Sequence, residues 1–169
     1  MRTVIFSLRE RAVLIPLEIF MLWKQLSVVA LIIFILSGIS PDFFSLTLAL
    51  KRGIVLVYAT LIAMLAGAVA TPLLLPWLPF RQFWLKGAIM GSLASPLLLF
   101  MGWQSLGGIE KIAICLWTIC CSSYLAMKFT SSTPFTSLSG VTREMRRGLV
   151  FQMSSAVLAL IFWMAGPYM

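Results

Sequence analysis

Charged side chains divide this chain into apolar intervals, and the lengths of those intervals decide what it can fold into. No Asp, Glu, Lys or Arg falls between Lys24 and Asp42, between Arg52 and Arg81, between Lys86 and Glu110, between Lys111 and Lys128, or after Arg147. A helix needs about 20 apolar residues to cross about 30 Å of hydrocarbon, and in lipid its backbone groups must be bonded within the segment. Five crossings are therefore predicted, at 23–40, 53–75, 86–103, 112–129 and 148–168. The expected fold class is all-α: a polytopic membrane helix bundle of about five transmembrane helices. Composition agrees, because 61% of the 169 residues are hydrophobic and 11% charged, against about 25% charged in soluble domains.

Ahead of the first crossing, Arg11, Glu18 and Gln25 recur every seven residues among apolar ones, a pattern suited to a helix lying at the membrane surface. Residues 1–22 are read as that interfacial amphipathic segment and 23–169 as the transmembrane domain. Pro16 and Glu18 interrupt the apolar run after Arg11, so it is not expected to be a cleavable signal.

The net charge of +8 is topological rather than a nucleic-acid footprint, since the basic residues sit in pieces between apolar stretches. With the amino terminus inside, the cytoplasmic side holds Arg2, Arg9, Arg11, Lys24, Arg81, Lys86, Lys128, Arg143, Arg146 and Arg147, and the other side holds only Lys51, Arg52 and Lys111. That asymmetry predicts the cytoplasmic (inner) membrane, amino terminus inside and carboxyl terminus outside. The longest polar connection, 130–147, is then cytoplasmic.

Histidine is absent and only Glu10, Glu18, Asp42, Glu110 and Glu144 are acidic, which removes the usual general bases and metal ligands. The chain alone is expected not to be an enzyme, to hold no catalytic residue and to bind no cofactor. Small residues four apart, Ala63, Gly67 and Thr71 in the second span and Gly87, Gly91 and Ser95 in the third, predict close helix packing. In the fifth span Ser155 and Ala159 do the same, with Gln152 and Ser154 as interhelical hydrogen-bond candidates, and Pro96 should kink the third. Lys24, Lys86, Lys111 and Lys128, at span ends, are expected to snorkel to the interface.

Two features carry candidate sites. The first is Cys120-Cys121 with Cys115 before them; Cys115 and Cys120 point about 140° apart on a helix, so at most two thiolates, Cys120 and Cys121, could bind a linear soft metal. Adjacent cysteines of this kind resemble the bacterial mercuric-ion uptake proteins, which implies an alternative function as a small thiol-based transporter of Hg(II) or another soft ion. Otherwise these cysteines are small buried apolar residues. The second feature is the segment from Thr130 to Gly140, in which seven of eleven residues bear hydroxyls, followed by Arg143, Glu144, Arg146 and Arg147. Hydroxyls bond backbone in turns and arginines bind phosphate or carboxylate. Thr133, Pro134, Phe135, Thr136, Ser137, Ser139, Gly140, Arg143, Arg146 and Arg147 are thus candidates for docking a partner.

The string Phe129-Thr-Ser-Ser-Thr-Pro-Phe-Thr-Ser-Leu-Ser-Gly-Val141, then Glu144-Met145-Arg146, resembles the carboxyl-terminal five-helix membrane domain of the corrinoid protein of mercury methylation, a family related to the corrinoid proteins of the CO dehydrogenase/acetyl-CoA synthase pathway. Weaker likeness covers Leu14 to Glu18 and Thr71 to Pro79. The resemblance implies a cytoplasmic domain, amino-terminal to the helices, that holds a cobalamin-type cofactor and transfers methyl to Hg(II). No segment of these 169 residues is long enough to hold a corrinoid, so that domain is expected on a partner or a missing part, and no catalytic residue carries over. The expected function is a non-catalytic membrane anchor, with the lipid bilayer, a cytoplasmic corrinoid protein and a ferredoxin-like iron–sulfur protein as partners.

Overall fold

The computed structural model describes residues 27–29, 31–40, 43–75, 77–78, 82–100, 106–131 and 138–168. The interfacial segment 1–22 lies outside the described residues. A short apolar helix, α1 (Ser27–Ser37), ends at Gly38, where Gly38 N–H reaches Ile35 O at 3.1 Å and Ser45 N–H reaches Gly38 O at 2.9 Å. Between them β1 (Ile39–Ser40) pairs antiparallel with β2 (Phe43–Phe44). This two-residue ladder is the one strand pairing among the described residues of an otherwise helical chain.

From Ser45, in extended conformation (φ −119°, ψ 116°), α2 (Leu46–Met64) begins. It starts seven residues before the expected Gly53, because nothing in Leu46–Leu50 opposes helix and the two charges after them are accommodated: Lys51 is exposed and Arg52 is buried. The helix widens to a π turn over Leu65–Ala70 and closes as Thr71–Leu73. Pro72 lacks an N–H for the preceding turn, and at its edge both the N–H and the Oγ1 of Thr71 donate to Ala66 O, the hydroxyl at 2.8 Å.

α3 (Phe83–Ala94) starts three residues before the expected 86 and tightens to a 3-10 helix over Ser95–Phe100. Pro96 thus changes the helix type at its own position. α4 (Gly108–Ser131) and α5 (Leu138–Ala165, closed by a 3-10 turn Gly166–Tyr168) are longer than their expected spans. The connection read as 130–147 is therefore largely helical: α4 runs to Ser131 and α5 has already begun at Leu138.

Among the described residues three stretches are long and apolar enough to cross a membrane: Leu46–Leu73, Gly108–Lys128 and Met145–Tyr168. Among the described residues Ser27–Ser37 and Phe83–Leu98 are shorter apolar helices. On α2 the exposed large residues Leu46, Leu50, Ile54, Tyr58, Leu61 and Leu65 form one stripe, while Ala49, Arg52, Gly53, Ala59, Thr60 and Ala63 are buried. Large apolar groups outward and, Val55 and Leu56 apart, small or polar groups inward is an arrangement compatible with lipid contact.

α4 is the centre, packed against α5, α3 and α2. The glycines explain how closely. A Cβ at Gly67 would stand 2.5 Å from Ser122 O, at Gly87 2.5 Å from Ala126 Cβ, and at Gly91 2.9 Å from Ile119 Cα. Both expected small-residue faces therefore meet the same turns of α4. Nearer the other end, Ile33, Val55, Leu56, Ala59, Leu98, Leu106, Ala113, Ile114 and Trp163 form the apolar core.

Candidate functional site

Four chain segments converge at one end of the bundle: the close of α1, the start of α2, the start of α4 and the close of α5. Each brings unbonded backbone groups, because the first N–H and last C=O groups of a helix have no intrahelical partner. Arg52 answers the carbonyls. Its Nη1 lies 3.4 Å from Ser37 O and its Nη2 donates to Trp163 O, placing a cation at two helix carboxyl ends, where the helix dipole favours it. Its Nε stands 2.6 Å from Glu110 Oε1, a charge contact whose geometry is not that of a hydrogen bond.

Glu110 completes the arrangement from the first turn of α4, where an acid suits the dipole. Its Oε2 accepts from Gly107 N–H at 2.9 Å. Gly166 makes room for it, since a Cβ there would come within 2.5 Å of Glu110 Cγ. Trp163 is the shared wall: Arg52 Cζ lies 4.4 Å from its ring centroid, and its Nε1 donates to Ser37 Oγ at 3.2 Å. Beneath this cluster is an apolar cleft of about 250 Å³, walled by Trp163, Trp117, Leu56 and α1. Trp117 Nε1 is engaged by Thr60 Oγ1 at 3.0 Å, and Thr60 in turn donates to Leu56 O at 2.8 Å.

A second polar seam joins α3, α4 and α5. Ser122 Oγ donates to Gly87 O at 2.8 Å, Ser123 Oγ to Trp84 O at 2.9 Å, and Gln152 Nε2 to Ser123 Oγ at 3.1 Å. Gln152 is thus the interhelical bond expected of it. Ser154 is not: it is exposed and donates to Phe151 O in its own helix at 2.9 Å. Ser155 and Ala159 are buried as expected of a packing face. Lys86, expected to snorkel outward, is buried and its Nζ reaches Leu75 O at 3.0 Å, capping the far end of α2.

Of the metal candidates, Cys120 is buried with Sγ 3.2 Å from Gln152 O, while Cys115 and Cys121 are partly buried. Among the described residues no group of three or more His, Cys, Asp and Glu side chains could hold a metal ion. Of the docking candidates, Thr133, Pro134, Phe135, Thr136 and Ser137 lie outside the described residues, and Ser139, Gly140 and Arg143 are placed only as backbone of α5. Arg146 and Arg147 are exposed and border a groove with Trp84 and Val150.

The Arg52–Glu110 pair was not anticipated from sequence, which counts both residues as loop charges. The available signal was their opposite sign at the boundaries of two spans predicted to end on the same side. Comparison with family models, curated proteins and solved structures finds no match for this chain.

Proposed function

We propose that this chain is a non-catalytic membrane anchor for a cytoplasmic corrinoid-dependent methyl-transfer system of the mercury-methylation type, docking its partner through residues 130–147. The observation that carries this reading is the position of that segment. It joins two candidate spans, Gly108–Lys128 and Met145–Tyr168, and carries the string that resembles the family. Two crossing helices would hold such a connection at one end of the bundle, outside the hydrocarbon. The internal polar groups support a structural role for the rest: Arg52, Glu110, Ser122, Ser123 and Gln152 are spent on joining helices.

In this reading α1 and α3 also cross, giving five spans with the amino terminus inside and the carboxyl terminus outside the inner membrane. A corrinoid-binding protein and a ferredoxin-like iron–sulfur protein are the expected partners. The test is co-purification of a corrinoid-binding protein with wild type and with a chain whose residues 130–137 are replaced by a Gly/Ser linker of equal length. Retention by wild type and loss with the linker is expected; equal recovery would reduce the segment to a connector.

A further inference from the structure

Trp84 lies in the first turn of α3, and Arg146 and Arg147 open the apolar stretch Met145–Tyr168 of α5. If both helices cross, the three side chains sit where they leave the hydrocarbon. Gly148 brings them together. A Cβ at Gly148 would lie 3.2 Å from Trp84 Cβ and 3.1 Å from Met127 Sδ, so the indole packs directly on the α5 backbone. Its ring centroid is 5.3 Å from that of Phe151, and its carbonyl is tied to Ser123. The result is an open groove of about 630 Å³ lined by Trp84, Arg146, Arg147 and Val150.

The groove has a polarity gradient. The exposed Arg146 and Arg147 line it together with the amphipathic indole, and Val150, 70% exposed, shares the exposed apolar face of α5 with Met153 and Val157. Guanidinium binds phosphate oxygens bidentately, tryptophan favours the headgroup level, and basic pockets between membrane helices take anionic headgroups. We propose that this groove is a headgroup site for an anionic phospholipid of the surrounding bilayer. Arg146 and Arg147 hold the phosphate, Trp84 lies against the glycerol region, and Val150 meets the first methylenes. The site goes beyond the anchor reading and narrows it: with Arg146 and Arg147 on lipid, a partner docked through 130–147 is met by 130–140 and Arg143.

The experiment uses the full chain in detergent, with no partner present. Native mass spectrometry and thermal melts are recorded during titration with phosphatidylglycerol, phosphatidylcholine of the same chains, or inorganic phosphate. A basic residue near an anionic surface gives about fivefold in affinity, so two predict roughly 25-fold preference for phosphatidylglycerol over phosphatidylcholine. Arg146→Gln with Arg147→Gln should remove most of it, while Lys51→Gln, an exposed cation at the other end of the bundle, should leave it intact. Inorganic phosphate should give no shift. Equal binding of the two lipids by wild type would overturn the proposal whether or not the variants fold, as would full preference retained by the double variant.

Discussion

The guanidinium of Arg52 lies 4.4 Å from the ring centroid of Trp163, and the same group donates to the backbone carbonyl of that residue. One side chain thus holds both the ring and the helix end that carries it. Ser37 and Glu110 bring α1 and α4 to the same cation, so four segments share one charge pair.

Breaking this pair should cost more than deleting it. Glu110→Gln leaves a buried cation without its counter-charge, with an expected loss of about 3–5 kcal/mol. Arg52→Met combined with Glu110→Leu removes both charges, and replacing a buried pair by apolar residues is often near neutral. Because Arg52→Met also takes the donor from Ser37 O and Trp163 O, the coupling is read as a cycle: thermal melts in detergent should show Glu110→Leu costing less in the Arg52→Met background than alone. Equal costs in the two backgrounds would mean that the pair carries no such coupling.

At Gly91 a Cβ would meet Ile119 Cα at 2.9 Å and Thr118 O at 3.1 Å, both backbone atoms that cannot rotate away. Leu98 is fully buried, and truncating such a residue costs about 2–5 kcal/mol. Gly91→Leu should lower the melting temperature more than Leu98→Ala, because it separates α3 from α4 along their length. A smaller shift for Gly91→Leu would place that glycine away from the helix contact.

Cys120→Ser should be mild. A hydroxyl can donate to Gln152 O as the thiol does at 3.2 Å, and the residue fills little volume. Under the anchor reading Cys120→Ser and Cys121→Ser leave Hg(II) accumulation by expressing cells unchanged. Loss of uptake in both, with expression intact, would reinstate the soft-metal transporter.

Helix identity and the glycine faces could be read from sequence because they depend on local composition: charge-free intervals and small residues four apart. Gly67, Gly87 and Gly91 all meet α4. The ends were harder. α2 starts at Leu46 and α5 at Leu138, because a charged residue does not stop a helix when its side chain has a partner or points to water. Arg52 and Lys51 are adjacent and chemically alike, yet one is buried and the other exposed; only the approach of Glu110 and Trp163 distinguishes them. Lys86 likewise turned inward to a carbonyl that a one-dimensional reading cannot supply.

The anchor reading is tested most directly by flotation. The chain is reconstituted in vesicles, mixed with a purified corrinoid-binding protein at low and at high salt, and the floated fraction is assayed for cobalamin absorbance. The account predicts that the corrinoid protein floats with wild-type vesicles, that Phe135→Ala or Arg143→Ala lowers the floated fraction several-fold with membrane insertion unchanged, and that salt weakens the arginine contribution, as expected for exposed charges screened over about 8–10 Å. A corrinoid protein that stays at the bottom with wild-type vesicles, or floats equally with both variants at either salt, would contradict it.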